Sequence, residues 1–246
     1  MAYLESHLFR RFTELSFGFS LRFDGAPRPP YHFNMSYSVN DDERLVTANR
    51  DRFFRALGLR IETVAYQRQV HGDRVRIVSE AGDAGESDAL LTDRPGVGLA
   101  ISSADCCAAF FYDPRNAALG AAHAGWRGAS NRIVAKTIAA MRENFRTDPD
   151  DLRVYLAPSI SQEAYEVGPE VAERFDEARL LPAGDRYLLD VAGVNRDLVL
   201  AEGVRPERLQ QSALCSFRND NLFHSYRRDG ERSGRALGVV AIRPNQ

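Results

Sequence analysis

Imidazoles and a thiolate are the donors that zinc and copper take from proteins, and the chain offers them at His71, Cys106 and His123. Cys106 and His123 lie in the stretch "DCCAAFFYDPRNAALGAAHAGWRG", where two apolar runs flank Asp113-Pro114-Arg115-Asn116, residues suited to a type I turn with proline second. This pattern predicts a hairpin. With Tyr112 paired to Ala117, Cys106 falls directly opposite His123 on one face, with Cβ atoms about 4.5–5.5 Å apart. A slip of one residue would turn one ligand to the other face. His71, in "QRQVHGDRV", occupies a Gly-Asp turn between two strand-like runs and is the third ligand candidate. His7 near the terminus, His32 after a Pro-Pro pair and His224 within an apolar segment have no thiolate facing them. The same three residues also read without a metal, as a small buried thiol, a hydrogen-bonded core histidine and a surface turn.

Two carboxylates stand beside these donors. Asp88 in "SDALLTD" and Asp105 in "SADCC" sit at the edges of apolar strands, where acid–base work, support of a histidine ligand and capping of a strand end are all compatible with their type. Beyond His123 the chain runs through Ala124-Gly125-Trp126-Arg127-Gly128-Ala129 toward a helix expected from Asn131 to about Phe145 with Ser130 as its cap. A glycine-bearing loop feeding a helix N-terminus presents backbone N–H groups to an anion, so Gly125, Gly128 and Arg127 form a candidate phosphate site. A tight strand-to-helix turn with a packed Trp126 accounts for the same residues. In "LFHSYRRDGERSGRALG", Tyr226 and Arg227 precede an Asp-Gly turn and are candidates for an anion or sugar contact, or else solvated turn residues.

The elements that must position these groups are legible in outline. A helix is expected after Asn40 through "DDERLVTANRDRFFRAL", with acidic residues in its first turn, Gly58 beyond its end, and Leu45, Phe53 and Leu57 on one face. Strands are expected at Ile61–Tyr66, Val75–Val78, Ala89–Thr92, Val97–Ile101, Cys107–Tyr112 and Ala118–His123. Short turns join most of them, which predicts an α+β fold: a layered single domain over residues 1–246 with mixed or antiparallel β-sheets covered by helices.

Composition narrows the partners. The net charge of −2 gives nucleic acid or an anionic membrane no broad attraction, and no obligate protein partner is readable. Lys136 is the only lysine beside 31 arginines, a bias that weakens any argument from a lone arginine. Charges interrupt the apolar residues of the amino terminus, so neither a signal-peptide core nor a membrane span is expected, and three cysteines with two adjacent do not make a disulfide framework. A cytoplasmic protein is the expectation.

Taken in order, "QVHGDRV", "DALLTDRPGVGLAISSADC", "GAAHAGWRG", "YEVG" and "LFHSYRRDG" resemble the family named both multicopper polyphenol oxidase (laccase domain) and purine nucleoside phosphorylase, whose bacterial members include the peptidoglycan editing factor. The resemblance covers nearly the whole chain, and Asn34 in "FNMSYSVNDD" looks like part of the family's N-terminal Phe-Asn segment. It implies His71, Cys106 and His123 as zinc ligands, with copper as an adventitious occupant, and a cleft in a layered fold. Two departures, Ala108-Ala109 where the family has proline after the cysteine and Glu163-Ala164 before "YEVG" where it has a cysteine, bear on pocket shape.

Counting donors decides against a four-copper oxidase: a blue-copper site alone takes two histidines and a cysteine, and five histidines in all cannot furnish an oxygen-reducing cluster as well. The resemblance implies instead phosphorolysis of adenosine, inosine, guanosine and methylthioadenosine, together with adenosine deamination, with purine nucleoside and phosphate as ligands. A zinc with three protein ligands keeps a position open for water, which suits the deamination. Hydrolysis of a nucleotide-sugar amino acid, removing L-Ser from a UDP-MurNAc-L-Ser precursor, is the alternative the editing-factor members imply. A metal-free Cys106 nucleophile with His123 as base, and a purine- or metal-binding protein without turnover, are the remaining readings.

Overall fold

The computed structural model describes residues 2–25 and 28–244. Two six-stranded sheets and one three-stranded sheet make up its β-structure. The first large sheet runs Tyr3–Leu4, Leu15–Ser20, Ala236–Ile242, Gly98–Ser103, Val64–Arg68, Gly82–Glu86 from edge to edge. Its first four strands are antiparallel, and Val64–Arg68 lies parallel to both of its neighbours. The second runs Leu209–Gln211, Arg153–Leu156, Cys107–Asp113, Ala118–Ala124, Ala89–Thr92, Val75–Ile77, antiparallel in the middle and parallel at each edge. The small sheet orders Glu166–Val167, Arg186–Leu189 and Leu180–Ala183.

The large sheets pack face to face. Phe17, Phe19, Leu99, Ile101 and Val240 from the first meet Phe110, Tyr112, Leu119 and Ala121 from the second. The outer face of the second sheet is covered by the helices Ile133–Phe145 and Val191–Ala201, through Ile133, Val134, Ile138, Met141, Leu198 and Val199. The outer face of the first is covered by the helix Glu43–Ala56, through Phe53 and Phe54. The result is helix, sheet, sheet, helix: the mixed α+β layering that the sequence pattern predicts. Strands clad on both faces read as near-continuous apolar runs, as "CAAFFY" does, because both sets of side chains are buried. Each fully buried phenylalanine of the interior contributes about 1.5–3 kcal/mol relative to exposure.

Several boundaries move. The first helix is capped by Asp42, whose carboxylate accepts from Arg44 N, and not by Asn40. Its buried face is Val46, Phe53, Phe54 and Leu57, while Leu45 is exposed. Ile61–Thr63 is a 3-10 turn leading into Val64–Arg68, and "GDAGE", which carries turn residues and no strand pattern, pairs as an edge strand. The helix expected from Asn131 starts at Ile133, and the loop expected before it contains a helical turn. Trp126–Ser130 forms a short helix with Gly125 at its N-cap, and Ile133–Phe145 follows after Arg132 adopts a left-handed conformation at φ 60. Ser130 therefore caps nothing.

Candidate metal centre

The chain leaves the first sheet for the second three times, between Arg68 and Val75, Glu86 and Ala89, and Ser103 and Cys107. The three departing strands are mutually parallel, so their C-terminal ends lie at one end of the sandwich. Those passages carry His71, Asp88, Asp105 and Cys106. Ala118–Ala124 runs antiparallel to Ala89–Thr92 and Cys107–Asp113, so it delivers His123 at its own C-terminal end to the place where those two strands begin.

His71 and His123 each offer a ring nitrogen and Cys106 its Sγ, and the three donor atoms lie within 4.8 Å of one another. The two imidazole centroids are 4.8 Å apart, edge to face. His123 is buried, Cys106 partly so, and His71 is exposed, so the centre opens to solvent on the His71 side. Among the described residues no other cluster of three or more such donors occurs. His7 is exposed, and the ring nitrogens of His224 are buried with no hydrogen-bond partner.

The hairpin register differs from the sequence expectation by two. Cys107 pairs with Ala124, Ala108 with His123 and Asp113 with Ala118, so Cys106 lies just before the strand and diagonally across from His123. The cause is the turn. Asp113 stays in the strand and its carboxylate accepts from Arg115 N, Asn116 N and Asn116 Nδ2, while Ala117 at φ 50 belongs to the turn. A shift of two preserves the alternation of faces, so the two ligands still share one.

Asp88 is fully buried and organises the centre. Its Oδ1 accepts from His123 Nδ1 at 2.9 Å and from His71 N at 3.0 Å, and its Oδ2 from Gly72 N at 2.7 Å and Val70 N at 3.1 Å. With Nδ1–H held by the carboxylate, His123 presents Nε2 to the metal position. The same carboxylate fixes the turn that carries His71 at φ 58, a left-handed conformation that histidine tolerates better than most residues. Burial alone would raise the pKa of Asp88, but the bonds from His123 and from the backbone of Gly72 and Val70 outweigh it and hold the pKa below the usual carboxylate value.

Asp105, at φ 87, supports Cys106 from the other side. Its carboxylate accepts from Ser216 Oγ at 2.6 Å and Arg227 N at 2.7 Å, which latches the helical turn Tyr226–Asp229 beside the ligand. Gly125 and Gly128 are buried, and their role is close packing. A Cβ on Gly125 would lie 2.5 Å from Cys106 Sγ, and one on Gly128 would lie 3.1 Å from the His123 carbonyl oxygen. The helix after Gly125 is a single turn, Trp126–Ser130.

Around the opening stand aromatic and guanidinium groups. Arg127 lies 4.5 Å from the Trp126 ring centre and Arg227 5.0 Å from that of Tyr165, with Arg227 Nη1 donating to the Glu166 carbonyl. Tyr165 is pushed up from its ordinary pKa by burial and by the nearby Cys106 and Asp105 charges, against Arg227 and Arg127. Asn34, by contrast, is closed: its Nδ2 donates to the Ser36 carbonyl and Asp41 Oδ2, and its Oδ1 accepts from Ser36 N and Arg235 N. It braces the neighbouring strand and offers no group to a ligand. Tyr165 and Arg235 escape notice in sequence, although the motifs "YEVG" and "RSGRALG" contain them.

The donor set fits a resident metal: one thiolate and two imidazoles suit zinc or copper, and three protein ligands with an exposed side leave room for a substrate atom. Burial raises the Cys106 thiol, but the two histidines more than offset it and bring its pKa down to about 6. Cys107, buried away from them, is pushed up to about 12.

Residues 16–243 match the family model described as multi-copper polyphenol oxidoreductase laccase. A purine nucleoside phosphorylase of Deinococcus radiodurans is 39% identical over 228 residues, covering 91% of this chain and 88% of its own. Purine nucleoside phosphorylase YfiH of Escherichia coli is 32% identical, covering 90% and 91%. Among solved structures, YlmD from Geobacillus stearothermophilus aligns at a TM-score of 0.88 and 30% identity over 95% of this chain and 93% of its own.

Three measurements test the centre. Asp88→Asn, which puts an amide donor among groups that donate to the carboxylate, is expected to weaken zinc binding about 10–100-fold by competition with a chelating dye. Unchanged affinity would remove Asp88 from the role given to it. Gly125→Ala is expected to lower metal content at an unchanged fold, because its methyl group displaces the Cys106 sulfur. In chelator-treated protein, Cys106 exists as thiolate above about 6, so its alkylation is complete well below the ordinary thiol value of 9.0 and falls away as the pH drops through about 6. Mass spectrometry should show Cys107 unmodified, and a midpoint near 9.0 for Cys106 would contradict the histidine pairing.

Proposed function

This chain belongs to the multi-copper polyphenol oxidoreductase laccase family, and on that premise we propose that it is a zinc-dependent purine nucleoside phosphorylase acting on adenosine, inosine, guanosine and methylthioadenosine, with adenosine deaminase activity. The observation that carries the reading is a three-donor centre, the one such cluster among the described residues, with an open side and with arginines stacked on aromatic rings beside it, in a chain whose relatives are named purine nucleoside phosphorylase. A bound zinc supplies Lewis acidity at that open side.

The chain's own residues supply the rest. Asp88 keeps His123 in one tautomer and one orientation, so the donor set is preorganised. Trp126, Tyr165 and Tyr226 offer flat apolar surfaces at the opening, the kind of surface on which a purine stacks. Arg127 makes no hydrogen bond or ion pair through its guanidinium among the described residues, and Arg227 makes one to a carbonyl, so both retain donors for phosphate or ribose oxygens. Asp105 ties Arg227 to the segment that carries Cys106 by accepting from the Arg227 main-chain N–H.

Multi-copper oxidation is disfavoured by the same inventory, since the centre uses two histidines and nothing among the described residues assembles a second cluster. Copper in the zinc position remains an adventitious occupant in this reading. Among the described residues, no helix is long and apolar enough to cross a membrane.

The test is chromatography of the products formed from adenosine by metal-analysed, zinc-loaded protein, with and without phosphate. His123→Ala and the more exposed His71→Ala serve as controls. Phosphate-dependent adenine, or inosine followed by hypoxanthine, lost in both variants, is the expected result. No product in either buffer would overturn the reading for adenosine and favour hydrolysis of the nucleotide-sugar amino acid. Product from thoroughly metal-free protein would favour Cys106 as a nucleophile.

A further inference from the structure

Arg235 is a half-buried cation without an acidic partner. It begins the final strand's approach beside the metal centre, where its main-chain N–H is held by Asn34 Oδ1 at 2.9 Å and its carbonyl accepts from Met35 N at 3.0 Å. Its Nη1 donates to the Ser233 and Gly234 carbonyls at 2.6 and 3.1 Å. Among the described residues, Nε and Nη2 have no partner and no carboxylate lies within ion-pair distance of the guanidinium. It lies instead over the Tyr226 ring, whose centre is 5.2 Å away. Tyr226 adjoins Arg227, the residue whose N–H binds Asp105 next to Cys106, so the chain of contacts runs from guanidinium to metal ligand through three residues. Burial holds the Arg235 pKa below its ordinary value, and the nearby Tyr226, Asp105 and Cys106 offset it only in part.

Both carboxylates of the centre are already spent. Asp88 is saturated by His123 and the 70–72 turn, and Asp105 by Ser216 and Arg227. Neither aspartate is within ion-pair distance of Arg235. A half-buried guanidinium with no ion-pair partner and two unused donor nitrogens, stacked on an aromatic ring, is available to an anion. Arg127 differs, being exposed and stacked on Trp126 at the rim.

We propose that Arg235, backed by Tyr226, is the seat of a tetrahedral oxyanion in the metal cleft, taken as free phosphate or as the phosphoryl group of a larger ligand, and that Arg127 plays the lesser, outer role. The free-phosphate form rests on the phosphorolysis reading. The seat itself does not, because a phosphoryl-bearing substrate of the hydrolase alternative would use the same donors. Arg235 is then a binding residue that discriminates anionic from neutral ligands, and its planar fork is what distinguishes it from a point charge.

The experiment compares Arg235→Gln, Arg235→Lys and Arg127→Ala in zinc-loaded protein whose metal content and thermal midpoint match the parent chain. Calorimetric titrations use inorganic phosphate and, separately, a nucleoside diphosphate, and steady-state kinetics separate the phosphate KM from the nucleoside KM. Expected is a rise of roughly 10–100-fold in the Kd and KM for phosphate in Arg235→Gln, the loss of one charge-assisted contact, with partial recovery in Arg235→Lys, a smaller change in Arg127→Ala, and the nucleoside KM little moved. Binding of the diphosphate alone, abolished in Arg235→Gln, would uphold the seat while the phosphorolysis reading fails. Phosphorolysis with an unchanged phosphate KM in Arg235→Gln would overturn the seat and leave that reading intact. Parent protein that binds neither anion would also overturn it.

Discussion

The centre depends on one buried carboxylate. Asp88 has no exposure to water, and a carboxylate moved from water into a protein interior is strongly disfavoured unless its oxygens are met by donors. Here both are met, one by the His123 ring and the His71 amide, the other by the amides of Val70 and Gly72. The donors that offset its burial are therefore the groups that carry the two histidine ligands. One ligand is fixed through its side chain and the other through its backbone, so the distance between them is set by a single rigid group.

Topology decides that these pieces meet. Val64–Arg68, Gly82–Glu86 and Gly98–Ser103 are parallel, and each is followed by a short passage into the second sheet. Parallel strands end together, so three passages far apart in sequence collect at one end of the sandwich, and the hairpin strand Ala118–Ala124 reaches the same end from the other sheet. The passages are too short to wander, and their backbones pay with left-handed φ values at His71 and Asp105. Gly125 completes the fit, because the helix that begins after it passes so close to Cys106 that no side chain has room.

How much of this was legible follows from the periodicities involved. The hairpin run "CAAFFYD" against "ALGAAHA" shows its strands plainly, and because alternation repeats every two residues, a register error of two still places Cys106 and His123 on one face. What the pattern could not show was where the turn begins, since that hinges on Asp113 accepting three hydrogen bonds and on Ala117 turning left-handed. The layered α+β arrangement followed from short connections and apolar runs. The edge strand "GDAGE" did not, because it is held by pairing to Val64–Arg68 and carries no apolar signal of its own. Gly125 and Gly128 advertised themselves, yet their reason is steric, and a steric reason belongs to the neighbours that a sequence does not reveal.

Arginine was the hardest residue to read, since nearly every cation in the chain is one. Adjacent positions show what separates them. Arg228 donates to the Ser216, Phe217 and Phe223 carbonyls and to both oxygens of Asp229, so its donors are consumed in joining segments of the fold. Arg227, one residue earlier, is anchored by its main-chain N–H on Asp105, lays its guanidinium near the Tyr165 ring and gives one bond to a carbonyl. The same side-chain type is structural in one place and available in the next, and the difference lies wholly in which acceptors the fold brings within reach. By that criterion the arginines facing the metal centre stand apart from those paired along the surface, as Arg205 is with Asp150 and Arg179 with Asp197. Their unused donors stand near a centre whose two carboxylates already have their hydrogen bonds made within the fold, so those donors remain free for a ligand.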